Sequence, residues 1–143
     1  MRVMFKGREV KEGDTLWRSR AYGLGKPTEE TLALEYKVTD LLDSSSFMAN
    51  PQGDTSWRET SVDNNRRWDQ ECYYWAKEDA KEDSRRCAII SDIDDVTDRL
   101  RRALDGETLW LLPAEKMRPA YDAMAALLLA VADAEQKKEQ ADA

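Results

Sequence analysis

The sequence predicts an α+β fold in which a small antiparallel sheet comes first and two or three helices then pack on it. Three observations carry that expectation. Apolar residues alternate at period two through the first forty residues, the period lengthens to helical spacing beyond residue 63, and the densest turn signals lie between the two regimes. A chain of 143 residues has the length of one domain with one core. We read 1–143 as a single domain, with 1–62 mainly β and loop, 63–136 mainly helical and 137–143 a frayed tail.

In MRVMFKGREVKEGDTLWRSRAY the apolar residues Val3, Phe5, Val10, Leu16 and Trp17 are punctuated by Lys6-Gly7 and Glu12-Gly13-Asp14, which is the grammar of hairpins. A Gly-Asp pair leading into an apolar strand also opens small SH3-like barrels; this is a fold-type pattern and identifies no family. Leu32, Leu34, Tyr36 and Val38 stand at period two, so 32–38 reads as a strand. Leu34, Val38, Leu41 and Leu42 behind Pro27-Thr28-Glu29-Glu30 leave a helix open over 28–42. Residues 43–65, rich in Ser, Asn, Gly and Asp, read as a long loop with a short strand around Trp57, and a loop of that length is a site candidate.

From about residue 64, Trp68, Cys72, Trp75 and Asp79 recur at i, i+4, i+7 and i+11 and predict one helix face. RRCAII at 85–90 reads as a short buried strand. SDIDDVTDRLRRALDG is the clearest helix, with Ser91 as cap, acids in the first turn, Ile93, Val96, Leu100, Ala103 and Leu104 as its stripe, and Gly106 as its stop. ETLWLLP follows as a short strand or extended link, and the last helix runs from Pro119 to about Gln136.

Composition narrows the chemistry. Net charge is −7 with a pI near 4.8, which argues against direct binding of duplex nucleic acid, where neutralisation of phosphates by Lys and Arg dominates affinity. The charge is uneven: residues 1–26 hold Arg2, Lys6, Arg8, Lys11, Arg18, Arg20 and Lys26 and sum to +4, leaving −11 beyond. Cys72 and Cys87 are too few for a disulfide framework, Arg2, Lys6, Arg8 and Glu9 interrupt any secretory leader, and the apolar run 123–132 is half the roughly 20 residues of a membrane span. A cytoplasmic protein is the expectation.

Catalytic and metal motifs fail one by one. Gly23, Gly25 and Lys26 suggest a phosphate loop, but Arg20 and Pro27 occupy the positions where the leading glycine and the magnesium-binding hydroxyl belong. Asp92, Asp94, Asp95 and Asp98 suggest a cation loop, yet Val96 and Thr97 stand where an oxygen ligand and a turn glycine are needed, and acids favoured by a helix dipole account for them. There is no histidine, which removes the commonest general base and most catalytic zinc sites. Neither enzyme activity, nor a cofactor, nor a metal is expected.

What remains is binding. In RRWDQECYYWAKEDAKEDSRR, Tyr73 and Tyr74 cannot both share the face of Trp68 and Trp75, so one of them is exposed among arginines, and Tyr, Trp and Arg dominate binding hot spots. The expected function is a small acidic inhibitor or adaptor that engages a partner protein, with Asp92, Asp94, Asp95, Asp98, Trp57, Tyr73 and Tyr74 as its contacts and competition for the partner's nucleic-acid-binding surface as its mode. An alternative is a binder of an anionic nucleotide-like molecule through Arg18, Arg20, Arg66, Arg67, Tyr73 and Tyr74. A structural homo-oligomer is a third reading, because AMAALLLAVA is apolar all round. Met117, Tyr121, Met124, Leu128 and Val131 form one face, with Ala123, Leu127, Ala130 and Ala134 on another, and 117–134 would meet a second copy.

Overall fold

The computed structural model describes residues 2–20, 28–51, 59–61 and 72–142, with the backbone alone at 59–61. It is an α+β structure of antiparallel strands followed by two long helices. The strands are β1 (Val3–Phe5), β2 (Arg8–Val10), β3 (Thr15–Ser19), β4 (Ala33–Asp43), β5 (Ser46–Pro51), β6 (Glu59–Ser61) and β7 (Tyr73–Tyr74), and the helices are α1 (Lys77–Asp105) and α2 (Ala114–Asp142). The chain divides into two compact units, Met1–Val96 and Thr97–Ala143.

The first unit begins with the expected hairpin. Val3 pairs with Val10 and Phe5 with Arg8, so Lys6 and Gly7 form a two-residue turn, and both have positive φ, 47° and 77°, as the tight turns that match strand twist require. Gly13, at φ 89°, makes the second turn. Its N–H donates to the Val38 carbonyl at 2.8 Å and the Val38 N–H donates to Asp14 at 2.9 Å, which ties this turn to β4.

The second sheet has the order β6-β5-β4-β3-β7, antiparallel throughout. Residues 33–43 are a strand, resolving in favour of period two the choice that 28–42 left open, while Glu29–Thr31 take a single 3-10 turn. Between hairpin and sheet lie Val3, Phe5, Val10, Leu16, Tyr36, Val38, Phe47, Ala49 and Tyr73, all buried. Phe5 meets Phe47 edge-on with centroids 5.5 Å apart. Each large side chain here contributes about 1.5–3 kcal/mol through burial.

Several expectations are corrected. The long loop over 43–65 contains β5 and β6; Ser46 to Asn50 are all buried, and because both faces of β5 are covered, polar and small residues alternate with Phe47 and Met48 without the period that marks a one-sided strand. Trp57 lies outside the described residues. The helix expected from residue 64 begins at Lys77, and Cys72, Tyr73 and Tyr74 are extended chain and strand, so Cys72 and Trp75 share no helix face with Asp79. Trp68 lies outside the described residues. RRCAII is helical, Ser91 is mid-helix and not a cap, and 77–105 is one uninterrupted helix because it holds no Gly or Pro. Gly106 does end it: a Cβ there would meet the Arg102 carbonyl at 3.2 Å, and Glu107 takes the left-handed conformation at φ 63°. Thr108–Leu111 is a 3-10 turn where a short strand or extended link was expected. The last helix starts five residues before Pro119 and continues to Asp142.

The first half of α1 buries a stripe of small residues, Ala80, Ser84, Cys87 and Ser91, together with Asp83. Ser84 shows why they are small: its Oγ accepts the Arg20 N–H at 2.8 Å and stands within hydrogen-bond reach of the Leu32 carbonyl, a distance that a bulkier side chain would prevent. Arg85 adds an exposed ion pair to Glu29 at 3.0 Å.

Two outcomes test this packing. Ser19 Oγ accepts from the Cys72 N–H at 3.0 Å and its own N–H donates to the Cys72 carbonyl at 2.8 Å, both groups being buried. Ser19→Ala leaves the Cys72 amide without that acceptor and should cost about 1–3 kcal/mol in urea unfolding. At the β4–β5 turn, Asp43 accepts from the Ser45 N–H at 2.8 Å and from the Ser45 and Ser46 hydroxyls, the Ser45 amide being the largest of the effects that hold its carboxyl below the ordinary aspartate value. A depressed carboxylate stabilises the fold above its unfolded pKa, and that contribution is lost as pH falls through the folded one. The Ser45 amide resonance should therefore titrate with a midpoint below 3.8, and the titration should vanish in Asp43→Asn.

Candidate interaction surface

The aromatic and basic residues singled out in the sequence meet one another inside the first unit. β7 pairs with β3, Trp17 opposite Tyr74 and Arg18 opposite Tyr73. Strand alternation then separates the two tyrosines: Tyr73 is 6% exposed and belongs to the core, while Tyr74 on the other face is half-buried. The expectation that the pair splits between core and surface thus holds, with period two in place of a helical repeat as its cause.

Each nearby cation lies over a ring. Lys6 Nζ stands 3.6 Å from the Tyr74 centroid and donates to the Tyr73 carbonyl at 2.6 Å. The Arg8 guanidinium lies 4.6 Å from the Trp75 ring, whose Nε1 donates to the Phe5 carbonyl at 2.8 Å. Arg18 donates to the Tyr36 hydroxyl at 2.8 Å and sits within 5.8 Å of the Tyr36 and Tyr73 rings. Lys77 covers Trp17 at 5.1 Å. Such contacts gain strength as the cation leaves water. Arg20 is half-buried and anchors its backbone on Ser84. Arg66 and Arg67 lie outside the described residues.

Asp92, Asp94, Asp95 and Asp98 are all exposed on α1. The dipole account of them is corrected, because they lie at least fifteen residues beyond the helix start, outside the first turn where that field acts. Asp98 pairs with Arg102 one turn on, and α1 as a whole carries nine acids and seven bases. Among the described residues no group of three potential metal ligands occurs, and no helix is long and apolar enough to cross a membrane.

Most of the exposed large apolar side chains among the described residues lie in the second unit. Trp110 is 84% and Leu111 81% exposed on the 3-10 turn between the helices. Over its 29 residues α2 buries no side chain, and Leu128 and Leu129 are 68% and 73% exposed. Large apolar side chains exposed in this number commonly mark an association surface. The all-round apolar pattern marks 117–134 as needing cover, whereas Trp110 and Leu111 stand in a stretch expected as a short strand or extended link; their signal is an indole beside two leucines, bounded by Gly106 and Pro113.

Compared with known proteins, the chain matches no family model, no curated protein and no solved structure.

The cation–ring cluster makes a direct prediction. Lys6→Met keeps the aliphatic stem but removes both the bond to Tyr73 and the charge over Tyr74, and should lower stability by about 1–2 kcal/mol in urea unfolding. An unchanged midpoint would remove the cluster from the account of what holds β7.

Proposed function

We propose that this protein is a non-catalytic adaptor or inhibitor that engages a partner protein through the apolar surface of its second unit. One observation carries the reading: the indole of Trp110 and the side chain of Leu111 stand almost wholly in water on a short turn whose ends are fixed by α1 and α2. A tryptophan presented at low entropy cost, with leucines around it, has the composition of a binding hot spot.

Asp92, Asp94, Asp95 and Asp98 enter this reading as long-range attraction. Exposed carboxylates on a chain of net charge −7 raise the encounter rate with a basic partner, including one whose basic surface otherwise holds nucleic acid. The nucleotide-binding alternative draws less support, because Lys6, Arg8 and Arg18 already face rings of their own fold.

A tagged pull-down at low and moderate salt separates the contributions. Trp110→Ala together with Leu111→Ser should abolish retention of a stoichiometric partner at both salt levels, as hot-spot truncations of 2 kcal/mol or more cost roughly thirtyfold in affinity. Replacing the four aspartates by asparagine should weaken capture mainly at low salt. Retention untouched by the Trp110 and Leu111 changes would refute the proposed surface.

A further inference from the structure

We infer that α2 pairs with α2 of a second copy, in parallel, as a two-helix coiled coil. The inference rests on the reading of the second unit as an association surface and names what covers its helix. Met117, Met124 and Val131 recur every seven residues, and Ala120, Leu127 and Ala134 recur three residues after them, the alternating three-four spacing of a coiled-coil seam. Asp122, Asp133, Arg118 and Glu139 fall away from that seam, as does Leu129, 73% exposed, which the pair leaves in water. A lone helix in water gains little from its own hydrogen bonds and depends on packing of an apolar face, yet none of these side chains is buried within the chain.

Charge selects the occupant and its direction. One edge of the seam carries Lys116, Ala123, Ala130 and Lys137; the other carries Tyr121, Leu128, Glu135 and Asp142. In a parallel pair each helix sets its first edge against its partner's second, so Lys137 faces Asp142 of the other copy twice over, and alanines face Leu128 and Glu135. An antiparallel pair sets like edge against like edge and brings Lys116 near Lys137. The exposed surface approaches the size that a stable interface buries. Met117, Tyr121, Met124, Leu127, Leu128 and Val131 are between 36% and 68% exposed. At on the order of 200 Å² for a fully exposed side chain of this size, they offer roughly 600 Å² per copy before the alanines are added, against about 800 Å² per partner in a stable interface.

Sedimentation equilibrium of the purified full chain should give twice the 16.4 kDa chain mass, with dissociation on dilution. Leu127→Glu should weaken association at least a hundredfold, while Asp122→Asn, on the outer face, should leave it within twofold. Lys137→Glu should weaken it several-fold, and adding Asp142→Lys should restore it. Lys138→Cys, at a seam position, should form an interchain disulfide under mild oxidation, which antiparallel helices would keep apart. A chain monomeric at every concentration, a Leu127→Glu chain that associates like the parent, or a Lys138→Cys chain that fails to cross-link would each overturn the parallel pair. Since α2 buries nothing within the chain, near-UV circular dichroism of Leu127→Glu should show the first unit intact, so monomerisation is not mistaken for unfolding. A monomer that still captures a partner through Trp110 sinks the pairing and spares the binding reading; a dimer that captures nothing does the reverse.

Discussion

The N-terminal hairpin, β3 and the segment leading into α1 meet at four consecutive residues, Cys72 to Trp75. Their backbone extends the edge of β3, where Ser19 and Cys72 exchange hydrogen bonds with each other. They are also bonded to the hairpin: the Trp75 indole donates to the Phe5 carbonyl, and the Lys6 side chain donates to the Tyr73 backbone carbonyl. A two-residue strand supplies few ladder bonds, so its hold comes from Tyr73 in the core and from the cations seated over Tyr74 and Trp75. Without this strap the hairpin would keep only its apolar contacts and the two backbone bonds that tie the Gly13 turn to β4.

The helices show two opposite uses of small residues. In α1, Ala80, Ser84, Cys87 and Ser91 let the helix approach its own unit closely, and the stripe is buried. In α2, Ala120, Ala123, Ala130 and Ala134 flank large apolar side chains and nothing is buried. Composition alone does not distinguish these cases. The difference lies in Ser84, whose hydroxyl finds the Arg20 amide and thereby fixes one helix to the chain, while α2 has no polar residue within its apolar centre to choose a partner.

The sequence was most informative where one physical signal acted alone. Lys6-Gly7 and Gly13 marked their turns because few residues accept positive φ, and Gly106 marked the end of α1 for want of room for a Cβ. The strand over 32–38 was legible from alternation, whereas its continuation to Asp43 was not. Reading failed where two signals coincided. The four-three spacing of Trp68, Cys72, Trp75 and Asp79 imitated a helix over residues of which Tyr73 and Tyr74 form a strand, since aromatic and charged residues happened to recur at helical intervals. Ser91 imitated a cap because serine is favoured both at helix ends and in narrow helix contacts. Of the proposed contact residues, burial removed Tyr73 from the surface, a fact of strand phase that no single-residue preference contains.

The strap also orders events in time. Trp75 and Phe5 are joined across 70 residues and Cys72 and Ser19 across 53, so the hairpin emerges from synthesis long before the rings that will cap it. Closing such loops is slow relative to local turns and helices. During that interval Val3, Phe5 and Val10 form a short apolar ribbon with an unsatisfied edge, a species prone to pairing with its own kind. Lys6, Arg8 and Arg18 belong to the same stretch, and until the rings arrive they are cations in water. The side chains that later fasten the fold are thus, earlier in its life, solvated charges on an uncovered strand.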